Sequence, residues 1–481
     1  MHRRGRLLHG GRRRHGQALS LALLVALACS GTASAPVDQV ERVERVDPVE
    51  RVVAEPSAPD EPAIGSDAWV LEEGRRFLDD TPHRRAALER SLTNHDNVYS
   101  RLRLQSYGHG TRGWDRLPVW NPRSVPVSAA LAEPLARGEM PVLAAEQARL
   151  WDGIRPTTMA GWVALGRRVF FEYPMRAEVF MEYGLTRPAL AAAVGVLRTA
   201  DGAVPGLVVF QDVDGETRVG ITCAICHASV RDGALIAGAA RREFDYGKLR
   251  LAYFADTGEY LDPALALRMA AWGPGRADVT EDDDEDPVTI PDLWGLRAQD
   301  WLTQAGTIRH ETPIALAIRQ ETQLTDSNHA RVRPPRELAW ALAMYVYSLA
   351  PPAKVASPAV SPQLARGGAV FKARCGGCHD NAARGGRVIA ATVIGTNPAL
   401  ATGRGRGTGG YRVPPLVRVG DGAPYLHDGS AGSLDELLSP ARLDRGYAAG
   451  RLGLGPVLGH RAGTDLAAAD RAALIGFLGT L

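Results

Sequence analysis

The chain has 481 residues, of which 45% are hydrophobic and 23% are charged. This length predicts two or three compact units, and the composition is that of a globular protein with a sizeable core. The formal net charge is only +2, so charge gives no reason to expect a nucleic-acid partner and argues against that class of function.

The first 35 residues have the pattern of an export signal. Arginines between Arg3 and Arg14 precede an apolar run at 18–28, and small residues follow up to Ala35. The run is too short to span a bilayer. Two processing routes remain open: cleavage after residue 35, or lipidation of Cys29 as the anchor of a lipoprotein. Both routes predict a periplasmic or extracellular location.

Residues 36–65 are predicted to form a disordered tether, because they contain several prolines and few large apolar side chains. Residues 66–200 follow as an N-terminal extension to which the sequence assigns no role. Within the extension we expect a helix at 69–78, loops at 113–126, and a helix or helix pair at 159–183.

The next unit, predicted to span 201–352, contains the first chemically informative motif. A β-hairpin is expected at 208–221, with Asp214-Gly215 at its turn. The motif, Cys223, Cys226 and His227, follows directly after it. Near its other end, residues 334–349 are expected to form a helix with an apolar stripe on one face.

The last unit, predicted to span 357–481, repeats the motif as Cys375, Cys378 and His379. A helix expected at 363–372 precedes the motif, and an amphipathic helix at 465–481 closes the chain. Two such helices crossing near a Cys-x-x-Cys-His sequence are typical of small cytochromes c.

The Cys-x-x-Cys-His spacing is the signature of haem attachment. Two thiols at i and i+3 reach the two vinyl groups of one porphyrin, and the adjacent imidazole reaches its iron. A zinc site needs four converging ligands and a dithiol redox pair needs no histidine, so both fit less well. We therefore predict two covalently bound haem c groups with His227 and His379 as axial ligands. The predicted fold is mainly α, with two tandem cytochrome c-like domains, the N-terminal extension and a small β-hairpin insertion.

The ligand on the far side of each iron separates electron carriers from sites that react with small molecules. All seven methionines precede Cys375, so the second haem has no methionine in its own unit. The alternatives downstream are His427 and His460, then Tyr425 and Tyr447. For the first haem the alternatives are an open position, Met269 and His310.

One part of the chain resembles a known family. Residues 411–416 (YRVPPL), 423–430 (APYLHDGS) and 433–438 (SLDELL) resemble the C-terminal haem domain of bacterial di-haem cytochrome c peroxidases. That wider family includes the maturase of methylamine dehydrogenase and the haem rubber oxygenases. The resemblance covers roughly residues 200–481. It implies that the first haem is the reaction site and that the second passes electrons to it.

The chain also departs from this family. Fourteen residues beyond His427, where the peroxidases have a methionine and the maturase a tyrosine, stands Ala441, which cannot bind iron. The rubber oxygenases resemble this chain in having a late histidine near the C-terminal helix, and that favours His460 as the second axial ligand of haem 2. These peroxidases hold calcium between their domains, and the acidic run at 281–286 is the segment that would bind it here.

The leading functional prediction is an exported di-haem oxidoreductase of the cytochrome c peroxidase type. Haem 1 would meet peroxide or oxygen, and haem 2 would take electrons from a small redox protein or another donor. A haem-dependent oxygenase resembling the rubber oxygenases and a di-haem electron carrier without a substrate are the alternatives. Trp294 is either a core residue or an aid to electron transfer, and the glycine-rich segment 403–410 is expected to be a flexible loop.

Overall fold

The computed structural model describes residues 62–144, 146–278, 286–354 and 361–481. The export signal with Cys29, almost all of the tether, and acidic residues 281–285 lie outside the described residues. Within the four described ranges, no helix has the length and apolar character needed to cross a membrane.

The expectation of a mainly α protein holds. The α-helices are α1 Asp67–Asp79, α2 Thr81–Ser91, α3 Val98–Ser106, α4 Ala129–Ala136, α5 Met159–Glu172, α6 Val179–Leu185, α7 Pro188–Ala193, α8 Ala224–His227, α9 Tyr246–Thr257, α10 Pro263–Trp272, α11 Pro313–Ser327, α12 Arg336–Ser348, α13 Pro362–Arg374, α14 Ala391–Ile394, α15 Ala399–Thr402, α16 Leu434–Leu437 and α17 Ala468–Leu478. The short 3-10 helices are Gly113–Arg116, Leu296–Ala298, Val419–Asp421 and Pro440–Leu443.

The strands are short and antiparallel. They are β1 Ser124–Pro126, β2 Arg176–Ala177, β3 Leu207–Gln211, β4 Thr217–Ile221, β5 Ala228–Arg231, β6 Ala234–Ala237, β7 Arg276–Ala277, β8 Val288–Thr289, β9 Trp301–Leu302, β10 Ile308–Arg309, β11 Val388–Ala390 and β12 Gly410–Arg412. The predicted hairpin is confirmed as β3 and β4. Strands β1 and β2 extend it to a four-stranded sheet in the order β1-β3-β4-β2, which the sequence analysis did not foresee.

Helices α5 and α12 cross at very short range. A Cβ placed on Gly166 would lie 1.9 Å from the carbonyl oxygen of Ala341 and 2.7 Å from the Cβ of Tyr345. Real Cβ atoms do not approach other heavy atoms this closely, so the crossing requires glycine.

Helices α13 and α17 repeat this arrangement near the C-terminus. A Cβ on Gly367 would lie 2.1 Å from the carbonyl oxygen of Ala473 and 2.7 Å from the Cβ of Phe477. In both crossings, one glycine meets an alanine carbonyl and the aromatic residue four positions further on. The two halves of the protein therefore contain equivalent helix pairs.

The first helix pair is embedded in a large core that crosses the boundary expected at residue 200. Phe77 and Trp162 of the extension share one hydrophobic cluster with Leu338 and Trp340 of α12. The apolar stripe predicted for this helix is too narrow a description, because every residue from Leu338 to Val346 is buried. Helices α1, α5 and α11 all pack around α12.

The glycine-rich segment 403–410 is held by the extension rather than flexible as predicted. The amides of Val98 and Tyr99 donate to the carbonyl oxygens of Arg404 and Gly405 at 2.9 and 3.0 Å. The side-chain amide of Asn97 donates to the carbonyl oxygen of Gly407 at 3.1 Å. The start of α3 therefore fixes a loop that lies over 300 residues later in the chain.

Candidate metal centres

The first motif lies at the end of the sheet. Strand β4 ends at Ile221, Cys223 follows, and α8 carries the rest of the motif to His227. The imidazole Nδ1 of His227 lies 3.1 Å from the carbonyl oxygen of Pro291. A carbonyl oxygen only accepts, so Nδ1 donates its proton and Nε2 is left with its lone pair. This is the tautomer of a histidine that binds a metal through Nε2.

The second motif reproduces this feature on a different scaffold. Helix α13 leads directly into Cys375, and the Nδ1 of His379 donates to the carbonyl oxygen of Arg384 at 2.6 Å. Both motif histidines are therefore oriented by a backbone carbonyl and offer the same nitrogen to a ligand. The sequence could not have located Pro291 or Arg384 as partners, because a carbonyl acceptor leaves no trace in residue type.

The thiols of the first motif are not those of a reactive dithiol. Burial raises the pKa of the Cys223 thiol to about 12 and that of Cys226 to about 11, whereas reactive thiols have a lowered pKa. Burial lowers the pKa of His227 to about 4, which keeps the imidazole in the neutral form that binds metals.

The two motifs differ in their exposure to solvent. Between the first pair of cysteines, the side chains of Ala224 and Ile225 are only 0% and 3% exposed. In the second motif, Gly377 and Cys378 lie at the surface.

The structure brings His460 to His379. Their ring centroids are 6.5 Å apart and their planes meet at 65°. With a metal–nitrogen bond of about 2 Å, two imidazoles on opposite sides of one metal ion have centroids about 6.4 Å apart. The angle between the planes is free to vary, because rotation about the common axis does not change this distance. The spacing therefore fits two axial ligands of one iron.

The backbone around His460 is held tightly in place. The guanidinium of Arg442, which is 0% exposed, donates to the carbonyl oxygens of Gly459 at 2.8 Å and of His460 at 3.0 Å. The amide of His460 donates to the carbonyl oxygen of Ile394 at 2.9 Å. Burial lowers the pKa of His460 to about 4, so this imidazole is also neutral. Arg442 is a positioning residue that sequence reasoning missed.

The other candidates for this position have different neighbours. The ring of His427 stacks on Tyr411, with centroids 4.1 Å apart, and lines a cavity of about 530 Å³ away from His379. The hydroxyl of Tyr425 donates to the carbonyl oxygen of Val419 at 2.7 Å. The remaining candidate, Tyr447, donates to a carboxylate oxygen of Glu436 at 2.9 Å, and Ala441 lies in the last 3-10 helix.

One of the alternatives for the first centre is bonded to other groups. His310 uses both ring nitrogens: Nδ1 donates to the carbonyl oxygen of Gln299 at 2.7 Å, and Nε2 is bonded to the hydroxyl of Tyr347. Met269 is a buried residue of α10, and its backbone carbonyl packs against Gly247 of α9. Among the residues that the structure describes, no ring is paired with His227 as His460 is paired with His379.

A short segment connects the two centres. Pro291 accepts the hydrogen bond from His227, and the buried indole of Trp294 donates to the carbonyl oxygen of Ala237 at 3.3 Å. A Cβ on Gly295 would lie 2.8 Å from the side chain of Val417 and 3.3 Å from Ala383, which precedes the carbonyl bonded to His379. The segment 291–295 therefore touches the surroundings of both motif histidines.

The described surroundings of the second motif fit a haem c. The Cys375 side chain packs on an apolar cluster suited to a porphyrin. Its buried members are Phe371, Leu416, Leu434, Leu438, Leu474 and Leu478. Across the described ranges, three or more His, Cys, Asp or Glu side chains nowhere converge as they would around a bare metal ion. Five of the six acids in the expected calcium segment lie outside those ranges, so calcium stays a prediction.

Comparisons with known proteins give little support beyond these observations. No protein-family model and no curated protein matches the chain. Among solved structures, the chain is similar to one described as a MauG-like protein associated with microbial copper homeostasis. The identity is 20%, the match covers 45% of this chain and 80% of that one, and the TM-score is 0.29. A likeness this weak carries no argument, so the function has to be argued from the residues.

Proposed function

We propose that the protein is an exported di-haem c-type cytochrome and an oxidoreductase of the cytochrome c peroxidase type. Two tandem cytochrome c-like domains, built on the α5–α12 and α13–α17 pairs, would each hold one haem. Cys223 and Cys226 would attach the first, and Cys375 and Cys378 the second. The first haem is proposed as the site of peroxide or oxygen, and the second as the haem that receives electrons.

The asymmetry between the two motif histidines carries this proposal. His379 faces His460 at the distance of two axial ligands, so the second iron would have no free position. His310, the histidine available to the first centre, is bonded at both nitrogens to other groups. An iron with protein ligands on both sides suits electron transfer, whereas an iron with one open coordination position suits reaction with a small-molecule oxidant.

The chain would contribute orientation and an electrostatic setting to these centres. When bound, haem c supplies a redox-active iron at each motif. The hydrogen bonds from Nδ1 to the carbonyls of Pro291 and Arg384 fix the imidazole planes and increase the basicity of Nε2. Two imidazoles, from His379 and His460, would give the second iron a low potential, because no methionine that would raise it follows Cys375. Trp294 lies between the two surroundings and is proposed to assist transfer between them.

The proposed partners follow from the same chemistry. The reducing equivalents would come from a small redox protein or another donor, and hydrogen peroxide would be the oxidant. Export to the periplasm or the cell exterior, with or without a lipid on Cys29, and a calcium ion near 281–286 complete the proposal.

Low-temperature EPR on the oxidised and half-reduced protein tests the proposal. We expect one high-spin ferric signal from the first haem and one low-spin signal from the second. The variant His460→Ala should convert the low-spin signal to high spin. The variant His427→Ala, in the rival histidine that stacks on Tyr411, should leave both signals unchanged and serves as the matched control.

Two low-spin signals that persist through half-reduction would contradict the proposed enzymatic function. The protein would then be a di-haem electron carrier without a substrate. A spectrum unchanged in His460→Ala would show that another side chain binds the second iron. Conversion of the spectrum in His427→Ala instead would move the ligand to the Tyr411 side of the unit.

A further inference from the structure

His310, which is buried, and Tyr347, which is partly buried, form a hydrogen-bonded pair that the proposed haem chemistry does not use. His310 follows β10 and Tyr347 lies near the end of α12. The imidazole of His310 is 9% exposed, and its Nε2 is bonded to the Tyr347 hydroxyl. The direction of that bond can be deduced: Nδ1 donates to the carbonyl oxygen of Gln299, so Nε2 has no proton and the phenol is the donor.

The surroundings of the pair decide where the phenolic proton can go. Burial raises the pKa of Tyr347 and lowers that of His310, so a neutral phenol faces a neutral imidazole. Asp300 and Arg412 act electrostatically on His310, and Arg297 acts on Tyr347. In this setting, His310 is the base within hydrogen-bond reach of the hydroxyl.

The pair is also connected to the second centre. Gln299 accepts the hydrogen bond from His310, and its side-chain amide packs against Gly385. A Cβ added to Gly385 would lie 2.4 Å from the amide oxygen. Gly385 follows Arg384, the residue whose carbonyl accepts from His379. A continuous path of covalent bonds, hydrogen bonds and packed atoms therefore leads from the His379 imidazole to the phenol of Tyr347.

We propose that Tyr347 and His310 form an oxidisable site that stores one oxidising equivalent in the protein. Loss of one electron from Tyr347 breaks its O–H bond, and the proton forms an N–H bond at Nε2 of His310. The products are a neutral tyrosyl radical and an imidazolium ion. Return of one electron reverses both steps. In the cell the electron acceptor would be a haem oxidised by peroxide, so this use rests on the proposed function, whereas the chemistry of the pair does not.

Photochemical oxidation of the haem-loaded protein tests the pair without peroxide. A ruthenium(III) polypyridyl complex, generated by a laser flash, serves as the one-electron oxidant. We expect an organic radical in freeze-quenched EPR that narrows when the protein contains ring-deuterated tyrosine. The signal should vanish in Tyr347→Phe. It should form about 100-fold more slowly in His310→Gln, because a positioned base typically accelerates proton transfer by at least that factor.

Tyr173 offers a matched control. It is 1% exposed, and its hydroxyl is buried without a hydrogen-bond partner among the described residues, so it lacks a base. The variant Tyr173→Phe should leave the signal and its rate unchanged. Fluorotyrosine placed at position 347 keeps the hydroxyl and the fold, and it should add fluorine hyperfine splitting to the radical.

Three results would overturn the proposal: no tyrosyl signal, a signal that survives Tyr347→Phe without fluorine splitting at 347, or an unchanged rate in His310→Gln. Addition of hydrogen peroxide to the haem-loaded protein, in place of the flash, tests the proposed function separately. A radical at Tyr347 after the flash but none after peroxide would support the pair and count against the proposed function.

Discussion

Gly166 and Gly367 occupy corresponding places in the two halves of the protein, and each lets one helix rest on the carbonyl of an alanine. The surroundings of the two crossings differ. Helix α12 is buried on all sides by α1, α5 and α11, whereas α17 keeps part of its surface in solvent. The comparison teaches that one local packing solution can serve in two settings, one inside a large core and the other near the surface.

The largest effect is expected from alanine at the two crossing glycines. Gly166→Ala should lower the free energy of unfolding by at least about 3 kcal/mol, since the added methyl group meets a backbone carbonyl that a fully enclosed helix cannot move. Gly367→Ala should cost about 1–3 kcal/mol, because α17 can shift toward solvent. Guanidinium denaturation measures both.

Gly368 provides the control for these variants. A Cβ there would lie 3.4 Å from the nearest atom of Phe477, which is an ordinary contact. Gly368→Ala should therefore be neutral or stabilise by up to about 1 kcal/mol through helix propensity. Equal losses at 166 and 367 would show that the degree of enclosure does not matter.

A smaller effect is expected where the extension holds the glycine-rich loop. The Asn97 side chain caps α3, accepting from the amide of Ser100 at 2.8 Å, and also donates to the carbonyl oxygen of Gly407. Asn97→Asp keeps the cap but removes the donor, and should cost about 1 kcal/mol. Asn97→Ala removes both and should cost about 2 kcal/mol.

Hydrogen exchange of the backbone amides at 403–407 measures how firmly α3 holds this loop. Exchange should be faster in both variants than in the parent protein. If Asn97→Asp left exchange in the loop unchanged while Asn97→Ala increased it, the cap alone would be responsible, and the bond to Gly407 would contribute nothing.

The smallest effect concerns the pH dependence of stability and tests the burial of His310. Burial lowers the pKa of His310 in the folded protein, so the unfolded chain binds more protons as pH falls below about 6.5. Stability should therefore be complete above that pH and fall below it, by at most about 1.4 kcal/mol per pH unit for one group. His310→Gln should make the acid side of the stability curve less steep. An equally steep curve in the variant would assign the loss to other groups.

Much of the fold was predictable because its signals are local. The hairpin at 208–221 and the helices near 69–78, 363–372 and 465–481 are confirmed, since alternation, periodicity and turn residues act over a few positions. The four-stranded sheet and the enclosure of α12 were not predictable, because β1, β2 and α1 reach their partners across long stretches of chain.

The candidate centres divide in the same way. The Cys-x-x-Cys-His motif is visible in the sequence because its residues are close together in the chain. The carbonyls of Pro291 and Arg384 are not predictable, because every residue has a backbone carbonyl. His460 could be named as a candidate ligand because no methionine follows Cys375 and because the rubber oxygenases also have a late histidine. Arg442, which holds its loop, has no distinguishing sequence pattern. The bond between His310 and Tyr347 joins residues 37 positions apart in sequence, and only the folded structure shows it.

If the two motifs attach haem as proposed, their unequal exposure to solvent affects the order of attachment. Ala224 and Ile225 are enclosed once the sheet and α12 have formed, so an enzyme that builds thioethers would need the nascent first half while it is still open. Gly377 and Cys378 remain at the surface, so the second attachment could follow folding. Under the proposed function, a chain that folds before it meets porphyrin would therefore lose the first attachment rather than the second.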